Sequence, residues 1–399
     1  MDLIITPSVL QGCIKVIPSK SQAHRLLICA AFADRPTNIL CEQTNLDIEA
    51  TAECLRALGA DIQRTNTGYY VAPIKVLQTH ADLYCGESGS TLRFMLPIVG
   101  ALGVDGTFHL EGRLPDRPLS PLWEEMERMG CSLTRPTWNT VRCTGSLKSG
   151  NFTIAGNISS QYITGLLFAS ALIPGGCSVT VTGNLESAPY VELTRRALSI
   201  FGVKMEGYDI VNPLSFRSPG EIAVEGDWSN GAFFLCAKHL GCDLTILGLN
   251  ECSDQGDRVA TELFTRLENY DCTISGADIP DLIPILAVYA ACKSGATFTD
   301  ITRLRLKESD RIASVAAMLN ALGVKTDITQ NTLTVYPATF HGCTVDAVND
   351  HRIAMAAAIA AIKADGPVTI LGADCVRKSY PTFWEEYKRL GGNYEQYIR

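Results

Sequence analysis

Leu58-Gly59-Ala60-Asp61-Ile62 closes a helical run with an apolar residue and a glycine, then enters a short strand. Glycine after a last helical turn takes the left-handed conformation without steric cost, so the pair marks a helix C-terminus. The signature returns at Met129-Gly130-Cys131-Ser132-Leu133, Phe201-Gly202-Val203-Lys204-Met205, Leu322-Gly323-Val324-Lys325-Thr326 and Leu390-Gly391-Gly392-Asn393, with a weaker copy at Tyr270-Asp271-Cys272-Thr273-Ile274. The usual interval, about 70 residues, is too long for a solenoid repeat. It suits a βαβαββ unit used six times. Alternating strands follow the caps, as in Tyr69-Tyr70-Val71 and Thr332-Leu333-Thr334-Val335-Tyr336, and further strand pieces occur at Val179-Thr180-Val181 and Val368-Thr369-Ile370. Six units divide into two sets of three, and the turn residues Ser218-Pro219-Gly220 mark the boundary. A doubly wound sheet competes with this α/β reading. The chain has no GxGxxG and no Gly-Lys dipeptide, so it carries neither a dinucleotide fingerprint nor a Walker loop.

Composition sets the outer limits. A chain of 399 residues is too long for one ordinary core, so two domains are expected. Its 46% hydrophobic and 19% charged content belongs to a folded protein rather than a disordered one. A net charge of −8 argues against nonspecific nucleic-acid binding, so any anion site must be local. The 15 cysteines form no CxxC pair, and Cys29, Cys54, Cys236 and Cys292 sit among apolar neighbours. This reads as free thiols in a reducing cytoplasm, not as a disulfide framework or zinc site. The N-terminus lacks a basic leader pattern, and the apolar stretches 166–173 and 353–362 are too short to span a bilayer.

The chemistry concentrates in a few segments. Arg305-Leu306-Lys307-Glu308-Ser309-Asp310-Arg311 follows a Thr/Ile-rich strand and mixes cations with carboxylates, which suits holding an anion and moving a proton. It reads equally as a solvated helix start. Pro18-Ser19-Lys20-Ser21-Gln22-Ala23-His24-Arg25 opens a helix whose capped N-terminus attracts anions. Cys85-Gly86-Glu87-Ser88-Gly89-Ser90-Thr91-Leu92-Arg93 resembles an anion nest, or else a simple glycine turn. Gly112-Arg113-Leu114-Pro115-Asp116-Arg117-Pro118 offers two arginines on a rigid loop. Ile158-Ser159-Ser160-Gln161-Tyr162 precedes an apolar helix and serves either as a cap or as a polyol or phosphate contact. Asp281 stands at an apparent helix start, where it could be only a cap. Asn349-Asp350-His351-Arg352 also leads into an apolar helix, and Lys378 follows in Arg377-Lys378-Ser379-Tyr380-Pro381. The six histidines show no metal-binding spacing, so neither metal nor cofactor is expected.

These segments, with Ala188-Pro189-Tyr190 and Glu225-Gly226-Asp227, occur in the order seen in 5-enolpyruvylshikimate-3-phosphate synthases, and the resemblance runs from about residue 5 to residue 385. It implies the two-domain enolpyruvyl transferase fold, each domain three βαβαββ repeats around buried helices, an inside-out α/β barrel. The implied domains are residues 1–18 with 222–399, and residues 19–221. The implied reaction moves the enolpyruvyl group of phosphoenolpyruvate to the 5-hydroxyl of shikimate 3-phosphate, releasing phosphate through a tetrahedral intermediate. By similarity Lys20, Ser21, Arg25, Ser159, Ser160, Gln161, Ser187, Tyr190 and Asp281 would hold shikimate 3-phosphate. Lys20, Gly89, Arg113, Gln161, Arg311, Arg352 and Lys378 would hold phosphoenolpyruvate. Asp281 would accept the hydroxyl proton, and Glu308, aided by Lys307, would handle the methylene proton; Lys20 would touch both ligands. The resemblance further implies a monomer, acting on small molecules only.

Two positions depart from the family pattern. Glu87 and Arg303 stand where many relatives have Asn, so one substrate contact gains a carboxylate and another gains a cation. Gly89 leaves room for glyphosate, which should compete with phosphoenolpyruvate. The nearest rival is the transferase of the same fold that acts on UDP-N-acetylglucosamine. It needs a cysteine in the loop where this chain has Arg113-Leu114-Pro115-Asp116-Arg117. A binding protein that had lost catalysis would lack the acid–base residues, yet Lys20, Asp281, Glu308 and Lys378 are all present.

Overall fold

A computed structural model describes residues 1–268 and 272–397. The chain divides into two compact units, Pro18–Val224 and a discontinuous one formed by Met1–Ile17 with Glu225–Arg399. The glycine signature is local structure in both. Gly59, Gly130, Gly202, Gly323 and Gly391 all have φ between 81° and 114° directly after a helix. At Gly59 the space is closed as well as the dihedral, because a Cβ would lie 2.5 Å from the Val76 carbonyl oxygen.

One repeat shows the pattern in full. Strand His80–Gly86 leads into helix Gly89–Leu102, and the chain returns as strand Asp105–Leu110, parallel to the first. A helix between two strands enforces that parallel crossover. A second helix, Leu122–Arg128, then precedes the hairpin Cys131–Thr134 and Thr140–Gly145, which adds antiparallel to the sheet. The strand order is first, second, fourth, third. The discontinuous unit repeats it with Thr273–Ser275, Ala296–Thr299, Leu333–Val335 and Thr326–Ile328.

Two sheets are completed by strands from distant sequence. Glu221–Ala223 pairs parallel with Thr37–Leu40, closing the first sheet of Pro18–Val224 with that unit's last residues. Asp2–Thr6 lies between Val368–Leu371 and Asn393–Tyr397, so the chain's first strand completes its last sheet. The fourth repeat is abbreviated among the described residues. Thr273–Ser275 pairs parallel with Ala296–Thr299 and opens the next repeat rather than closing a hairpin. Tyr270 and Asp271 of the weaker cap lie outside the described residues.

Helices occupy the interiors. His351–Ala361 is buried along its whole length and Ile283–Cys292 along all but its last residue. Their sequences carry apolar residues on every face, as a fully buried helix requires. The strands alternate buried and accessible residues, as in His80–Gly86, so the sheets present one face inward and one to solvent. In Pro18–Val224, helices Gly89–Leu102 and Ser160–Leu172 cross so closely that a Cβ on Gly165 would fall 2.2 Å from the Arg93 carbonyl oxygen. Each helix is thereby held with its N-terminal residues in a fixed place, and those residues carry the chemistry. No described helix is long and apolar enough to cross a membrane.

Candidate active site

In Pro18–Val224 the site residues begin helices. Lys20 opens Lys20–Ala31 and pairs with Asp47 at 2.8 Å. Ser19 stands at the cap position, but its hydroxyl accepts nothing from the first turn. The pairing that fixes this terminus is Lys20 with Asp47. Arg25, one turn on, is buried. Its Nε donates to Thr194 Oγ1 at 2.9 Å, and its terminal nitrogens donate to the carbonyls of Ser21 at 2.6 Å and Tyr190 at 2.7 Å and to Thr164 Oγ1 at 3.3 Å. The guanidinium lies over the Phe94 ring, 5.1 Å from its centroid. Burial brings its pKa down to about 10, still charged at neutral pH.

Gly89 starts its helix behind Ser88, whose Oγ accepts from Thr91 N at 3.2 Å. Two arginines crowd Gly89: a Cβ there would lie 2.6 Å from an Arg93 terminal nitrogen and 2.7 Å from one of Arg117. Arg93 donates to Gln161 Oε1 at 2.9 Å, and Gln161 donates to Ser90 Oγ at 2.9 Å, which joins two helix N-termini. Ser159 caps the second of these, accepting from Gln161 N at 3.3 Å, and Ser160 is buried beside it. Ser187, with φ 56°, precedes helix Ala188–Ile200, and Tyr190 N donates to its carbonyl. Arg113 is exposed at the head of the turn Leu114–Asp116. The Glu87 carboxyl lies against that loop, since a Cβ on Gly112 would sit 2.4 Å from it.

In the discontinuous unit carboxylates and cations meet directly. Asp281 takes Arg311 on one oxygen at 2.8 Å and Arg352 on the other at 3.1 Å, with the Lys307 ammonium at 3.7 Å. It does not cap the following helix, whose cap position is Leu282. Glu308 pairs with Arg311 at 2.6 Å. Arg311, 1% exposed, also donates through Nε to Asp350 at 3.0 Å, and Ser309 Oγ donates to the same oxygen. Burial alone would raise the Asp281 carboxyl, but Arg352, Lys307 and Arg311 outweigh it and hold it well below the usual carboxylate range. Burial lowers the Lys307 ammonium to about 8 against the pull of Asp281. Arg303 donates to the Ala277 carbonyl at 2.7 Å and adds positive charge near Lys307. Lys378, 8% exposed, donates to the Asn349 carbonyl at 2.9 Å. That carbonyl is aimed by a strained turn in which Val348 and Asn349 have φ of 46° and 58°.

Several participants were not assigned from sequence. Arg93 and Arg117 flank Gly89, although both lie within the quoted motifs. Asp350 caps its helix through Arg352 N at 3.0 Å and also anchors Arg311; the segment Asn349–Arg352 contained it, but no local pattern announces the second role. Asp257 is 2% exposed and accepts from Ser229 Oγ. Burial and the charge of Asp281 push its carboxyl up to about 7, against Ser229 and Arg352. Among the described residues, no group of three or more His, Cys, Asp or Glu side chains could hold a metal ion.

Comparison with known proteins identifies the family. The family model of EPSP synthase, 3-phosphoshikimate 1-carboxyvinyltransferase, matches residues 4–387. The chain belongs to the EPSP synthase family. Proteins named 3-phosphoshikimate 1-carboxyvinyltransferase from Clostridium kluyveri and Clostridium acetobutylicum are each 35% identical to it, with 98% of both chains covered. The solved EPSP synthase of Acinetobacter baumannii aligns over 99% of both chains at 25% identity, with a TM-score of 0.79. The enolpyruvyl transferase NikO of Streptomyces tendae shares the fold, with a TM-score of 0.75 at 18% identity. These matches cover nearly the whole of this chain and share the α/β architecture of its units.

Proposed function

We infer that this chain transfers the enolpyruvyl group of phosphoenolpyruvate to the 5-hydroxyl of shikimate 3-phosphate, releasing inorganic phosphate on the route to chorismate and the aromatic amino acids. The observation that carries the catalytic part of the reading is the Asp281 cluster, in which one carboxylate is bonded by Arg311 and Arg352 and approached by Lys307, with Glu308 on the same Arg311. In this reading Lys20, Ser21, Arg25, Ser159, Ser160, Gln161, Ser187, Tyr190 and Asp281 hold shikimate 3-phosphate. Phosphoenolpyruvate is held by Lys20, Gly89, Arg113 and Gln161, together with Arg311, Arg352 and Lys378.

The electrostatics supply a sequence of events. Arg311 and Arg352 are committed to Asp281, which is a poor base while they hold it. An arriving carboxylate competes for those guanidiniums. As they turn to the ligand, burial dominates at Asp281 and its proton affinity rises. It then takes the proton of the 5-hydroxyl as that oxygen bonds C2 of phosphoenolpyruvate. C3 gains a proton from Glu308, aided by Lys307, and becomes a methyl group. In the second step C3 returns a proton to Glu308, the C2–O bond to phosphate breaks, the departing phosphate carries off the proton held by Asp281, and the enol is restored on its new oxygen. No electrons leave or enter, so no redox cofactor is required.

Fifteen free cysteines support a reducing cytoplasmic location, and we take the acting form as a monomer. Incubation of the protein with both substrates should release phosphate and the enolpyruvyl ether. Phosphate released with UDP-N-acetylglucosamine but not with shikimate 3-phosphate would overturn the assignment in favour of the sister reaction, and none with either would remove catalysis altogether.

A further inference from the structure

We propose that Asn230 is a positioning residue for Lys378, acting through Ser379. Asn230 lies in the first turn of helix Trp228–His239, and its Nδ2 donates to Ser379 Oγ at 3.1 Å across 149 residues of sequence. Both ends are sealed from water, at 1% exposure for Asn230 and 0% for Ser379. A hydrogen bond in such surroundings is costly to leave unmade.

Asn230 is itself held from two sides. Its backbone N–H donates to the capping carboxylate of Asp227 at 2.8 Å. The adjacent Trp228 N–H donates to Gln255 Oε1 at 3.1 Å, while Gln255 Nε2 binds the Gly226 carbonyl at 2.8 Å. The amide is therefore a fixed point at a helix N-terminus. At the other end, Ser379 closes the turn Ala373–Lys378, and its N–H donates to the Val376 carbonyl at 3.0 Å. Lys378 precedes it, with its ammonium on the Asn349 carbonyl at 2.9 Å. A lysine side chain has much rotamer freedom to lose. Fixing the backbone beneath it, while Asn349 receives its tip, determines where that charge stands. The Asn230 Oδ1 atom is buried and makes no hydrogen bond in the structure. The amide therefore stands there for its donor.

The inference rests on the reading of Lys378 as a phosphoenolpyruvate ligand. Asn230→Ala and Ser379→Ala remove opposite ends of one bond, so either suffices if the other fails to fold. Each should raise KM for phosphoenolpyruvate about fivefold, the scale of one hydrogen bond, with KM for shikimate 3-phosphate and kcat near wild type. The double variant should be no worse than either single one. An unchanged KM for phosphoenolpyruvate would overturn the proposal, as would a uniform fall in kcat with lowered melting temperature, which marks a purely structural bond. Additive effects would show that Asn230 does not act through Ser379. Wild-type protein that turned over no substrate would refute the functional reading instead, and Lys378→Ala with normal KM would refute only the assigned ligand.

Discussion

Two buried arginines, one in each unit, have different partners. Arg25, in Pro18–Val224, is bonded to hydroxyls and carbonyls alone: Thr194, Thr164, Ser21 and Tyr190. Arg311, in the discontinuous unit, is bonded to the carboxylates of Asp281, Glu308 and Asp350. Neutral acceptors orient a guanidinium without cancelling its charge, whereas carboxylates do both. A phosphate arriving at Arg25 meets a standing positive charge. An anion arriving at Arg311 or Arg352 must displace one that is already there. The first arrangement favours affinity, and the second couples binding to the release of an acid–base group.

The sharpest way to break this contrast is to neutralise the displaced partner. Asp281→Asn keeps the shape and removes the base, and turnover should fall about a thousandfold. Glu308→Gln should have a comparable effect, both read by phosphate release. Near-normal rates in either variant would remove that residue from the chemistry.

Arg25→Ala tests the other unit. It removes a buried cation and its hydrogen bonds, although Thr164 and Thr194 keep each other as partners at 2.8 Å, so stability should drop by about 2 kcal/mol and KM for shikimate 3-phosphate should rise, with a smaller change for phosphoenolpyruvate. Thermal unfolding and steady-state kinetics separate the two effects. If the two KM values rise equally, Arg25 does not discriminate between the substrates.

Asp257 sharpens the comparison through pH. Its folded pKa, about 7, lies above the ordinary carboxylate value. Folding therefore favours its protonated form, and its ionisation progressively destabilises the native state between about pH 4 and pH 7. Asp257→Asn removes that penalty. It should be more stable than wild type by about 2 kcal/mol above pH 7, after allowance for the weakened Ser229 bond, and should lose this advantage near pH 4. Melting curves that run parallel across that range would show that Asp257 is an ordinary carboxylate.

The smallest effect is expected at Gly89. A methyl group there presses on Arg93 and Arg117, so Gly89→Ala should raise KM for phosphoenolpyruvate several-fold with little change in kcat, and should weaken inhibition by glyphosate. Wild-type inhibition that is not competitive with phosphoenolpyruvate would show that this position is not where the two compounds meet.

The residues alone made the repeat legible. Gly59, Gly130, Gly202, Gly323 and Gly391 announce helix ends because a positive φ is a local demand, written in a local residue. Charge clusters such as Arg305–Arg311 were equally visible as places where cations and acids gather. Pairing was not visible. Nothing in the spacing joins Arg25 to Thr164 and Thr194, Lys20 to Asp47, or Arg311 to Asp350, because those bonds run between different helices, most of them in different repeats, and depend on how the helices are set. Asp350 shows the limit well: its cap role follows from position, while its hold on Arg311, 39 residues earlier, follows only from the fold.

The strand Asp2–Thr6 has a consequence for synthesis. It leaves the ribosome more than 360 residues before its sheet partners Val368–Leu371 and Asn393–Tyr397. Pro18–Val224 has all its strands once residue 224 has emerged, but Asp2–Thr6 must wait for Val368–Leu371 and Asn393–Tyr397. Trimming a handful of residues from the amino terminus would therefore strike the carboxy-terminal sheet, leaving Pro18–Val224 with its full set of strands.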